Sequence, residues 1–250
     1  MSLCAQCISG VRHEGQPEGQ IQTIGGVEVY VATPTIDYPK DKAILFLTDV
    51  FGLPLPNNKL LADDYARNGF KVYALDYFGG DALPEDALNP GSDYDFMGWL
   101  GKHPAAGTLP TIRAVIAALK AEGITKFAAV GFCYGARPAF DLAFVGEIDV
   151  VAVSHPSLLK IPEDLQKYAQ ESKAPLLINS CTIDQQFPPE AQTQADDILG
   201  GGKFAPGYVR TYWEGCTHGF AVRGDLSDPK VKAGKEGAFK ATVEFLIKHL

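Results

Sequence analysis

From about residue 43 to the end, short apolar runs alternate with helix-patterned segments. "KAILFLTD", "FKVYALD", "KFAAVGF", "DVVAVSH" and "APLLINSC" are apolar almost throughout. Strands of that kind are buried on both faces. Parallel neighbours need crossovers of helix length, and the segments between the runs supply them. "NKLLADDYARNG" reads as a helix stopping at Gly69, and "LPTIRAVIAALKAEG" carries a stripe of Ile112, Val115, Ile116 and Leu119. Further helices are expected from about 134 and over 189–199, with a strand at "YVRTYWEG" between the latter and the C-terminal helix. Asp228 and Pro229 have the residue types of an N-cap and first helical position. Phe239, Val243, Leu246 and Leu250 then share one face of the last helix. This pattern predicts a mostly parallel central sheet with helices on both faces, an α/β fold.

No repeat, low-complexity tract or linker divides the 250 residues, so residues 1–250 are expected to form a single domain. Residues 1–19 are Gly-rich and polar and are read as a segment wrapping the surface. "VEVYVATP" alternates and ends in proline, as an outer strand does. Residues 79–108, rich in Gly, Pro and Asp, form a long connection of the kind that becomes a binding loop or lid.

The formal net charge of −8 disfavours a nucleic-acid partner, which calls for a basic face. No apolar run is long enough to span a membrane. The N-terminus lacks the basic and apolar blocks of a secretory signal. Five cysteines, an odd number without dense spacing, suit a reducing, cytoplasmic setting. Cys4 and Cys7 form a C-x-x-C, but no second pair completes a zinc site and no thioredoxin-like context surrounds it. No nucleotide or metal motif stands out, so no cofactor and no metal are expected.

In parallel α/β sheets, ligands bind beyond the carboxyl ends of the strands. The residues just past those ends include Asp49, Asp76, Cys133, His155, Asp184 and His218. Cys133 sits in "GFCYG", after a strand and before a helix. Glycines two before and two after allow the sharp turn that raises a nucleophile into the crevice. A helix N-terminus there favours the thiolate. Asp184 and His218 follow later strands, in the chain order nucleophile, acid, base seen in α/β-hydrolases. A buried cysteine packing as a small hydrophobe, a turn aspartate and an unremarkable histidine are the bland readings of the same residues.

The segments "LTDVFGL", "VYALDYFGGD", "VGFCYGA", "SHPS", "CTIDQQFP" and "THGF" together resemble the dienelactone hydrolase family, the carboxymethylenebutenolidase-like α/β-hydrolases. The resemblance covers about residues 20–250, and "CAQC" near the start is similar to fungal-type members. It implies an α/β-hydrolase fold and a thiol that opens an enol-lactone or related ester through a thioester acyl-enzyme. By matching motif, Cys133 is the nucleophile, Asp184 the orienting acid and His218 the base. The backbone N–H groups of Tyr134 and Val50 form the implied oxyanion hole. Asp49 stands where family members carry a glutamate near the resting thiol. Of two arginines that bind a substrate carboxylate in the family, one is missing near Gly79 and Gly80, and Arg223 matches the other with a small offset. The loss points away from a carboxylate-bearing lactone.

Tyr77, Phe78, Trp99 and Phe187 are read either as pocket walls or as core. His155 is expected to line the pocket or to be a hydrogen-bonded structural histidine. Arg137 is expected in a structural ion pair, and Cys181 and Cys216 in structural roles, Cys216 bordering the site at most. The expected partner is a small-molecule ester or lactone, acted on by a monomer or homodimer. A non-catalytic binding or thiol-sensor protein of the same fold, and a cysteine peptidase, are the other readings of the chain.

Overall fold

The computed structural model describes residues 10–12 and 14–250, so Cys4 and Cys7 lie outside the described residues. One eight-stranded sheet runs in the order β1-β2-β4-β3-β5-β6-β7-β8. Its strands are β1 (Gln20–Ile24), β2 (Val27–Ala32), β3 (Lys42–Leu47), β4 (Val72–Leu75), β5 (Lys126–Phe132), β6 (Val150–Ser154), β7 (Leu176–Ile183) and β8 (Tyr208–Thr217). The strands from β4 to β8 are parallel, while β1 and β2 join antiparallel at one edge. The apolar runs of β3 to β7 form the buried centre, as their composition requires.

Helices cover both faces. On one lie α1 (Pro56–Arg67), α7 (Phe220–Arg223) and α8 (Pro229–His249). The Tyr65 and Phe239 rings, 4.8 Å apart, join α1 to α8. The other layer holds α3 (Ala105–Ala121), α4 (Ala136–Phe144), α5 (Glu163–Glu171) and α6 (Pro189–Leu199), packed each on the next. Asp228 caps α8, its carboxylate accepting from the Lys230 N–H at 2.8 Å. Phe239, Val243 and Leu246 are buried on its inner face. Among the described residues no helix is long and apolar enough to cross a membrane.

The structure departs from the sequence reading at the edge. β2 is not outermost, because β1 pairs outside it through a tight hairpin at Gly25 and Gly26, both left-handed. Only Ile24 of β1 is buried, so the strand carries almost no pattern. A short helix, α2 (Phe96–Lys102), forms inside the connection read as loop. The helix expected from Leu109 starts at Ala105 and carries Pro110 within it. Of the N-terminal segment, Arg12 reaches α1, donating from Nε to Asp64 Oδ1 at 2.6 Å, and the Glu18 N–H donates to Asp63 at 2.7 Å.

Candidate active site

The turn after β5 is built by steric exclusion. Cys133 has φ of 50°, a left-handed conformation that a non-glycine residue adopts at a cost. A Cβ on Gly131 would lie 2.6 Å from the Gly135 carbonyl oxygen, and one on Gly135 would lie 2.2 Å from that of Leu47. Both glycines therefore let the turn press against β5 and β3. Gly135→Ala is expected to cost about 1–3 kcal/mol in urea unfolding, the usual penalty of overpacking. An unchanged urea midpoint would mean that turn and strand are not packed in this way.

The turn carries Cys133 into a 3-10 segment, Cys133–Gly135, that runs into α4. Unpaired N–H groups gather at such a helix start. The parallel register places Leu47 beside Gly131. Val50 and Tyr134, each three residues further on, both reach the wall of one cavity.

Asp184 and His218 meet beyond the ends of β7 and β8. Asp184 Oδ1 lies 2.9 Å from His218 Nδ1 and accepts the Gln186 and Phe187 N–H groups at 2.8 and 3.1 Å. This holds the carboxylate and leaves His218 Nε2 to face the thiol. Ser157 joins the two: its Oγ is 3.3 Å from Cys133 Sγ and 3.4 Å from His218 Nε2. Burial works against a charged His218, but its hydrogen bonds to Asp184 and to the Cys133 sulfur, with the charges of both, outweigh it and raise its pKa to about 10.

A cavity of about 380 Å³ opens over Cys133, Ser157 and His218. Its apolar wall includes Leu88, Phe96, Met97, Leu100 and Leu158. Phe96, Met97 and Leu100 belong to α2, capped by Asp95, which accepts from the Gly98 N–H at 2.8 Å. Leu88 and Met97 are 43% and 71% exposed, so the mouth is apolar as well. None of these residues was singled out from sequence; the signal present was Asp95 ahead of apolar residues at 96, 99 and 100.

The aromatic candidates stand behind this wall. Tyr77 is buried and donates its hydroxyl to the Thr48 carbonyl. Phe78 packs between Trp99 and Tyr134, with ring centroids 5.0 and 5.1 Å away. Phe187 is fully buried beside Asp184. Trp99 donates to the Asp81 carbonyl at 2.6 Å, and the Tyr134 hydroxyl donates to that of His103 at 2.8 Å, tying the end of α2 to the turn.

Asp49 is buried, and its Oδ1 accepts from Asn58 at 3.0 Å and from the Phe51 N–H at 3.2 Å. Its Oδ2 lies 3.4 Å from Arg223 Nε. Burial raises the Asp49 pKa, and Asn58, Arg223 and the Phe51 N–H oppose the rise. Arg223 also lies over the Phe51 ring, 4.2 Å from its centroid. Arg223, the one arginine on the cavity wall among the described residues, is thus already paired.

His155 differs from both expectations. It is off the cavity wall, fully buried, and neither ring nitrogen has a hydrogen-bond partner among the described residues. It packs edge-on to His218 and Phe220, with centroids at 5.0 and 5.6 Å. Burial, reinforced by His218 and Arg223, pushes its pKa well below the usual value. It is a neutral plate backing His218. Arg137 pairs with Asp141 and Asp164. Cys181 and Cys216 are buried free thiols. Among the described residues no cluster of metal-ligating side chains occurs.

The model of the Dienelactone hydrolase family matches residues 27–250. The chain belongs to the dienelactone hydrolase family. Hydrolase pyvD of Aspergillus violaceofuscus is 34% identical to it over 249 residues, spanning 98% of this chain and 96% of its own. Dienlactone hydrolase 1 of Gibberella moniliformis is 33% identical over 254 residues, spanning 98% and 92%. A putative dienelactone hydrolase from Klebsiella pneumoniae shares the fold, with a TM-score of 0.72 at 16% identity over 93% of this chain and 99% of that one. This dienelactone hydrolase family protein is therefore a hydrolase on an α/β-hydrolase scaffold, with its thiol, imidazole and carboxylate at the carboxyl end of the sheet.

Proposed function

We propose that the protein hydrolyses small, uncharged, apolar esters or enol-lactones through a Cys133 thioester. The observation that supports this reading most directly is the continuous set of contacts from Cys133 through Ser157 and His218 to Asp184 on the cavity floor. The thiolate attacks the acyl carbon, and the oxygen's developing charge meets the N–H groups of Tyr134 and Val50. His218, as imidazolium, then gives its proton to the leaving oxygen. Acylation removes the charge of the sulfur, one of the causes that raise the His218 pKa. The ring then takes a proton from water more readily, and hydroxide attack releases the acid. One histidine thus serves as acid and then base because the nucleophile's charge is consumed between the two steps. Acid quenching during turnover should leave the acyl mass on the peptide bearing Cys133; its absence there at full hydrolysis rate would overturn the reading.

The pairing of Arg223 with Asp49 supports a neutral substrate, since an incoming carboxylate has to compete with a buried one. Charge-assisted hydrogen bonds contribute about 1.5–3 kcal/mol, so the methyl ester of a dienelactone acid should exceed the free acid about tenfold or more in kcat/KM. In Arg223→Ala the free acid should fall further. Better turnover of the free acid, with that preference surviving in Arg223→Ala, would mean that another cation holds the carboxylate. The free thiols Cys133, Cys181 and Cys216 suit a reducing cytosol.

A further inference from the structure

Ser157 occupies a position that turnover by a thiol, an imidazole and a carboxylate does not require. It lies past the end of β6, in the segment His155-Pro156-Ser157-Leu158. His155 and Leu158, on either side of it, have φ of 39° and 63°. Left-handed conformations at two non-glycine residues turn the chain back towards β5, where the Ser157 N–H donates to the Cys133 carbonyl at 3.0 Å. The hydroxyl is 6% exposed as part of its residue and stands 3.3 Å from Cys133 Sγ and 3.4 Å from His218 Nε2. A hydroxyl has one proton to donate and two lone pairs to accept with, so it can serve both neighbours at once.

We propose that Ser157 is a catalytic residue whose hydroxyl donates to the Cys133 thiolate and accepts from His218, holding the sulfur in its attacking position. This rests on the cysteine-nucleophile reading above. With the ring as imidazolium, its Nε2–H faces Ser157 Oγ and the serine's own proton faces the sulfur, so Ser157 stays neutral and no proton changes place. Asp184 on Nδ1 fixes the ring so that Nε2 points at the hydroxyl. The other titratable groups around the pair are committed elsewhere. His155 is neutral behind the ring, Asp49 and Arg223 pair with each other, and the Tyr77 hydroxyl is given to Thr48.

Two readouts test the assignment: kcat on an activated ester, and iodoacetamide alkylation of Cys133 across pH. In Ser157→Ala, kcat should fall about 10²-fold, the lower range for loss of one hydrogen-bond donor to a reacting charge, with KM within about twofold. Alkylation should slow near neutral pH and recover in strong alkali, where the thiol ionises without help. Ser157→Thr and Ser157→Val have the same shape and differ only in the hydroxyl, so Thr should keep most of the rate and Val should behave as Ala does. This pair also answers the question should Ser157→Ala fold poorly. Equal losses in Thr and Val, or an unchanged alkylation profile in both Ala and Val, would overturn the proposal. Alkylation needs no turnover, so it tests Ser157 even if Cys133→Ala hydrolysed esters as well as wild type, an outcome that would strike the nucleophile assignment instead.

Discussion

Cys133→Ala is expected to lose at least about a thousandfold in kcat on an activated ester, because removing a nucleophile leaves only binding and the oxyanion donors. Intact-protein mass spectrometry should show the acyl adduct in wild type and none in the variant. Cys133→Ser should recover little. A hydroxyl holds its proton far more tightly than a thiol, and without the Cys133 sulfur His218 loses part of what raises its pKa, which leaves a weaker base for an alcohol. Full activity in Cys133→Ala would remove the cysteine from the chemistry and leave the cavity as a binding site.

The second expectation concerns Asp184 and His218 together. Each alanine variant should lose about 10³–10⁴-fold in kcat, and the double variant should be little worse than the worse single, as for groups that act as a unit. Losses that multiply would show that the two act independently. The pair should also mark the pH dependence of stability. The folded pKa of His218 lies above its ordinary value of 6.5, at about 10. The fold therefore favours the protonated ring, and this contribution is complete below about pH 6.5 and lost as pH rises towards 10. Urea midpoints of wild type should fall between those limits, and those of Asp184→Asn should fall less, since its main hydrogen-bonding support is gone. Parallel declines in both proteins would place the pH dependence elsewhere.

The turn at Cys133 was legible because its constraints are local. Gly131 and Gly135 are demanded by carbonyls within van der Waals reach of a missing Cβ. The order Cys133, Asp184, His218 was legible because parallel strands deliver residues just past their ends to one rim. Other features left almost no trace. β1 buries one residue of five, and α5 buries only Asp164, Leu165 and Tyr168, so neither repeats an apolar pattern strongly. The aromatic residues Tyr77, Phe78, Trp99 and Phe187 have the chemistry of a pocket wall and of a core alike. Their places behind the wall follow from how α2 docks on the turn, through Trp99 to Asp81 and Tyr134 to His103.

Composition and periodicity were enough for the layered sheet, for the strand ends that carry the reactive groups, and for the Asp228 cap of α8. Each of these follows from burial or from sterics over a few neighbouring residues. The pairing of Arg223 with Asp49, the seat of Ser157 between sulfur and imidazole, and the unpartnered His155 behind His218 required the folded chain. These residues come from different loops, and angstrom-scale separations between them depend on strand register and on how the loops pack. No local pattern records such distances. The charge left available to a substrate, and the hydrogen bonds that reach the sulfur, are properties of that packing.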